Sequence, residues 1–229
     1  MLQSASLLKI FFPGNQFVEE ETLKDIFVIH HSAGWDDARQ MFDNWAHDTQ
    51  GRVCTSYGIT DDGTIYQGFD SNYWGYALYV NSPGNDVNNI YRTSKHDNHL
   101  NSRAIQVELC NWGALIEKNN KLYAWPAYKS NNWISKYEVP KSKAILYEDG
   151  FKGFNWYERY TDKEIESLRN LILFHHEKNG ILLEYNSDMW NVSENALKGY
   201  PGIWTHVSYR TDKSDSHPQP ELIQMLKEL

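Results

Sequence analysis

The run Ile26-Phe27-Val28-Ile29, closed abruptly by His30 and His31, limits the folding of this chain more than any other stretch. A short unbroken apolar run bounded by polar residues reads as a buried strand. Ending it in two imidazoles puts metal-competent groups at the rim of the core, on backbone stiff enough to hold them. A second stretch answers the first. Thr205 to Pro218, THVSYRTDKSDSHP, follows the apolar Gly202-Ile203-Trp204 and gathers His206, Lys213 and Asp215 in one loop. An imidazole and a carboxylate can share a cation such as zinc, which takes nitrogen and oxygen ligands at about 2.0–2.2 Å. Two ligands do not hold zinc, so the strand-end histidines are the candidates for the third.

Between these stretches the pattern alternates strand and helix. Asp36 or Asp37 can cap a helix on which Ala38, Met41, Phe42, Trp45 and Ala46 recur at helical spacing, with His47 off the stripe and at the surface. Asp61-Asp62-Gly63 separates two β-branched and aromatic runs, a hairpin signal because glycine tolerates the positive φ of tight turns. Residues 71–101 show no period and read as a long surface loop with solvated His96 and His99. In Ala104 to Cys110 the residues Ile105, Val107 and Leu109 face one side, and Gln106, Glu108 and Cys110 the other. A glutamate inside such a strand is costly to bury without a partner or a task.

Residues 112–160 are aromatic and polar, and predict an irregular insertion with one short hairpin at most. Thr161 to Glu164 forms a capping box that starts a helix running to Asn179-Gly180. His175 and His176 ride near its end, one bordering the core and the other solvated. Residues 186–200 read as a polar loop, and a final helix spans about 220–229.

With 229 residues the chain suits one generous domain, and its formal charge of -8 argues against a nucleic-acid partner. No run reaches the ~18 apolar residues of a membrane span, so no membrane partner is expected. Cys54 and Cys110 lack metal-type spacing and read as reduced thiols in or beside strands. The N-terminal MLQSASLLKIFFPG has no basic leader region and is expected to belong to the fold.

Taken together, IFVIHHSAG, TSYGITDDGTIYQ, SRAIQVELCNWG, the capped helix and His206 followed by KSD resemble the zinc-dependent N-acetylmuramoyl-L-alanine amidases. These share a fold with peptidoglycan-recognition proteins and include phage lysins. The resemblance runs in order from about residue 24 to the C-terminus and fits least well over 112–160. It implies an α/β single domain, 1–229, with a central mixed β-sheet flanked by α-helices.

By the same resemblance zinc is held by His30, His206 and Asp215, Glu108 is the general base and Lys213 stabilises the oxyanion. His31 then points away, because adjacent strand residues face opposite sides. The implied substrate is peptidoglycan, cut between N-acetylmuramic acid and the L-alanine of the stem peptide. A non-catalytic recognition module and an anhydro-muropeptide recycling amidase are the alternatives. A phage-lysin-like protein, made in the cytoplasm and acting on the wall after release, is the implied setting. The chain departs from the family pattern at Gln106, where glycine is common, at Thr55 and Ser56 ahead of Tyr57, and at His217, which competes with Asp215 as a ligand.

Overall fold

Strand β2, Ile26–His31, is buried at every residue and lies between β5, Ala104–Leu109, and β11, Gly202–Thr205, parallel to both. The computed structural model describes residues 7–10, 12–34, 37–49, 52–85, 89–124 and 137–229. Beyond β5 come β3, Tyr57–Ile59, β4, Ile65–Gln67, and β1, Leu7–Lys9, completing a six-stranded mixed sheet. β3 and β4 are the expected antiparallel hairpin, with Gly63 at φ +85° in its turn. Three parallel strands thus end together at His31, Leu109 and Thr205, and open α/β sheets bind ligands at such carboxyl ends.

Helices cover both faces. α1, Ala38–Ala46, is capped by Asp37, whose Oδ1 accepts from the backbone N–H of Arg39 and Gln40; Asp36 lies outside the described residues. The helix sits on Gly58, where an added Cβ would fall 2.9 Å from that of Ala38. Only glycine permits that approach. On the opposite face lies α3, Asp162–Asn179, begun by the Thr161/Glu164 capping box and ended by Gly180 at φ +76°. It buries Ile165, Leu168, Leu171 and Ile172 alongside Leu222, Met225 and Leu226 of α5, Pro220–Lys227. Fully burying each such side chain is worth about 1.5–3 kcal/mol, which fixes both helices to the sheet. His175 is buried and His176 exposed, as their helical positions imply.

Three expectations are corrected. The 71–101 stretch ends in a helix, α2, Ser94–Arg103, capped by Thr93. Its buried side is Asp97, Leu100 and Asn101, so an apolar period never arises. His96 is half-buried and donates from Nε2 to the Leu197 carbonyl at 2.7 Å, although His99 is exposed. Residues 186–200 hold a 3₁₀ turn, Ser187–Trp190, and a short helix, α4, Glu194–Leu197.

The largest difference falls in the insertion. It is an antiparallel sheet ordered β8, Glu138–Val139; β7, Lys121–Ala124; β6, Ala114–Lys118; β10, Phe154–Glu158; and β9, Ala144–Phe151. Its small core is Leu115, Leu122, Ala124 and Val139, and the outer residues of β9 are exposed or half-buried. A sheet with one wet face needs few aliphatics, which is why composition concealed it. Trp125, Pro126 and Trp133 lie outside the described residues. Cys54 and Cys110 are buried thiols and form no disulfide with each other. No helix among the described residues is long and apolar enough to cross a membrane.

Candidate metal centre

His30 stands at the end of β2, and His206 opens the 3₁₀ turn that follows β11, the neighbouring strand. Asp215 returns from the loop beyond, tied by the backbone N–H of Val207 to the Asp215 carbonyl at 3.1 Å. All three are buried and their ligand atoms converge. His30 Nδ1 is 3.0 Å from His206 Nδ1 and 3.3 Å from Asp215 Oδ2, and His206 Nδ1 is 2.9 Å from the same oxygen.

The outer nitrogens explain why the inner ones face each other. His30 Nε2 donates to Gln106 Oε1 at 3.0 Å, and His206 Nε2 donates to the Leu78 carbonyl at 2.9 Å. Each bond fixes the tautomer and aims an Nδ1 lone pair inward. One proton cannot bridge three acceptors, so at least one acceptor pair stays face to face. Four-coordinate zinc with bonds of about 2.0–2.2 Å needs ligand separations of about 3.3–3.6 Å, so this triangle fits the ion after opening by a few tenths of an ångström.

The electrostatics agree. Burial opposes charge on His30, but its hydrogen bond to Asp215 and the nearby Glu108 outweigh that and raise its pKa. Burial, reinforced by His30, holds His206 down to about 4 despite Asp215. Burial opposes ionisation of Asp215 too, yet the two imidazoles hold its carboxyl well below the ordinary range. A buried carboxylate and two imidazoles thus converge on one point, a set of donors that a divalent cation can join.

Glu108 pairs with His30 across the parallel β2–β5 ladder, on the same face of the sheet. Its Oε2 is buried with no hydrogen-bond partner among the described residues. Burial pushes its pKa up to about 7, against the pull of His30 and Lys213 and aided by Asp215. Lys213 is half-buried, two residues before Asp215, and close enough to act on that carboxylate.

Several neighbours have structural tasks. His31 points to the other face, where its Nδ1 meets Tyr160 Oη at 2.9 Å. Its Nε2 lies where a Cβ on Gly113 would come within 2.3 Å, and Gly113 has φ +67°, so glycine is required there. His217 does not join the cluster: Nδ1 meets Tyr147 Oη at 2.8 Å and Nε2 donates to the Glu158 carbonyl at 2.9 Å. Tyr57 is a buried strand residue whose hydroxyl meets His175 Nε2 at 3.2 Å. Thr55 and Ser56 bond the carbonyls of Tyr57 and Gln106.

Sequence reasoning missed the supporting shell. Gln106 bonds His30 through Oε1, while its Nε2 donates to Asn101 Oδ1 at 3.0 Å and to the Gly75 carbonyl at 3.3 Å. Asn101 Oδ1 also accepts from the N–H groups of Ala77 and Leu78, and Asp97 Oδ1 from that of Val80. α2 thereby holds the segment whose Leu78 carbonyl fixes His206. The only sequence signal was the polar Gln106 two residues before Glu108 on one strand face.

Two histidines and one carboxylate could hold a divalent cation and would leave a position open on a four-coordinate ion. Residues 22–220 match the family described as N-acetylmuramoyl-L-alanine amidase, and the chain belongs to that family. The fold is similar to that of PlyL, at 12% identity, TM-score 0.52 and 96% coverage of each chain. It is likewise similar to the PlyG catalytic domain, at 12% identity and TM-score 0.52, covering 97% of this chain and 93% of that one. Comparison with curated protein sequences gives no match. The family acts on peptidoglycan, which is accordingly the partner class of this chain.

Proposed function

We propose that this protein is a zinc-dependent N-acetylmuramoyl-L-alanine amidase that hydrolyses the amide between the lactyl group of N-acetylmuramic acid and the first L-alanine of the stem peptide. The observation that carries the reading is the convergence of His30 Nδ1, His206 Nδ1 and Asp215 Oδ2 within 3.3 Å, beside the unpartnered buried carboxylate of Glu108. A recognition module that only binds needs neither.

His30, His206 and Asp215 would hold the zinc, with Gln106 and Leu78 keeping both imidazoles in the ligating tautomer. Bound there, the ion supplies Lewis acidity towards the scissile carbonyl and makes water a better nucleophile at neutral pH. Glu108 takes the proton that water loses as it adds to the carbonyl carbon. The same carboxyl then delivers that proton to the leaving nitrogen of L-alanine, so the C–N bond breaks with the amine as leaving group. A pKa of about 7 suits both halves of that task. Lys213 places its ammonium against the negative charge on the carbonyl oxygen in the tetrahedral state.

The test is digestion of purified peptidoglycan, followed through newly freed L-alanine amino groups, before and after chelation. Release that stops with chelator and returns with zinc supports the amidase. Binding to the wall without release overturns it in favour of recognition alone.

A further inference from the structure

The antiparallel sheet inserted at 114–158 does more than decorate the fold, because its β9–β10 turn closes a cavity against the metal-ligand loop. This cavity, of about 320 Å³, is lined by Trp112, Ala114, Lys152 and Phe154 on one side and by Ala33 and residues 211–214 on the other. Ala33 is two residues past His31 and Ser214 immediately precedes Asp215, so the cavity opens beside the candidate metal centre. Its size suits one or two residues of a bound ligand.

The charges in it are unequal. Asp212 is engaged bidentately by Arg210, whose Nε and Nη2 donate at 2.9 and 2.6 Å. Among the described residues Lys152 makes no ion pair with an acid, whereas Lys213 acts on Asp215 and Glu108. Two half-buried ammonium groups therefore line one apolar-floored cavity in a chain whose formal charge is -8. Lys152 sits there against its backbone preference, at φ +47°, a left-handed conformation that a long side chain rarely adopts. Its ammonium donates to the uncharged amide oxygen Asn191 Oδ1 at 3.3 Å, a long bond that a carboxylate acceptor would displace.

We infer that this cavity is a subsite for a carboxylate-bearing residue of the stem peptide, with Lys152 as the anionic anchor and Trp112, Ala114 and Phe154 packing on its methylenes. The inference rests on the amidase reading above and adds what the inserted sheet contributes to it. Lys213 approaches the same cavity from the catalytic side, so a peptide anchored on Lys152 runs past the reacting centre. Peptide residues distal to the scissile amide would then contribute to orientation, which raises turnover as well as affinity.

The test uses Lys152→Asn, because asparagine suits the left-handed turn and lacks the charge. Two synthetic N-acetylmuramoyl peptides serve as probes, one with free side-chain and terminal carboxylates and one with those groups as carboxamides. Hydrolysis is followed in the zinc-loaded protein, and equilibrium binding of both probes is measured in a Glu108→Gln background. The subsite predicts that the protein with Lys152 favours the carboxylate probe in binding and in kcat/KM. Lys152→Asn should then lose about tenfold on that probe alone. Equal affinity for the two probes, or an equal loss on both, overturns the subsite. Hydrolysis of neither probe with the binding preference intact overturns the amidase reading and leaves the subsite supported.

Discussion

Gln106 Oε1 accepts a hydrogen bond from His30 Nε2 at 3.0 Å, and that bond decides which nitrogen of His30 faces the candidate metal centre. Removing it leaves the ring free to turn and to change tautomer. Gln106→Ala should therefore weaken zinc binding by about 10- to 100-fold, read by competition with a chromophoric chelator. Unchanged affinity would show that packing alone orients His30.

The ligand set and the base separate by metal content. Alanine at His30, His206 or Asp215 should abolish zinc binding and activity together. Glu108→Gln should keep the metal and lower kcat by about 10²- to 10⁴-fold, which metal analysis and a turnover assay distinguish. His217→Gln should retain zinc, since both ring nitrogens of His217 already bond to Tyr147 and Glu158. A metal-free His217→Gln protein would make His217 a ligand after all.

Activity should follow the ionisation of Glu108. A base must be deprotonated, and burial has raised this carboxyl to about 7, so kcat/KM should climb as pH rises through that value. Replacing Lys213 by Met removes one of the charges that lower the Glu108 pKa, so the rising limb should move to higher pH in that variant. A limb that stays in place would separate Lys213 from Glu108.

Glu164 carries a pH effect on stability that is independent of the site. Its Oε2 accepts from the Thr161 N–H at 2.8 Å, its Oε1 is buried without a partner among the described residues, and burial raises its pKa to about 8 from 4.5. The folded state therefore binds this proton more tightly than the unfolded state. The resulting stabilisation is complete below pH 4.5 and is lost as pH rises through about 8. Glu164→Gln keeps the cap and removes the titration, so above pH 8 the variant should melt about 2–8 °C higher than the parent. Parallel melting curves across pH would refute the assignment.

Much of the site was legible in the chain because it rests on local patterns. An apolar run ending in His30-His31, an alternating strand carrying Glu108, and a loop joining His206, Lys213 and Asp215 are short-range features. Strand periodicity then dictates that His30 and His31 face opposite ways, and the structure has them so. The capped α3 and the Asp62-Gly63 hairpin were equally local, each fixed by a few side chains bonding to nearby backbone.

What the chain by itself determined was therefore which groups can do chemistry and which segments carry them. Only the tertiary structure decided how they are held. Gln106, Asn101 and the Leu78 carbonyl act on the imidazoles across 76 residues, in the case of His30 and Gln106, and 128, in that of His206 and Leu78. No periodicity encodes such a pairing. α2 escaped notice because its buried side is largely polar, satisfied by loop backbone that comes near only on folding. The inserted sheet escaped because antiparallel strands with one wet face need cross-strand partners more than aliphatic side chains. Hydrogen bonds between distant segments depend on the closed fold, and a linear pattern cannot report them.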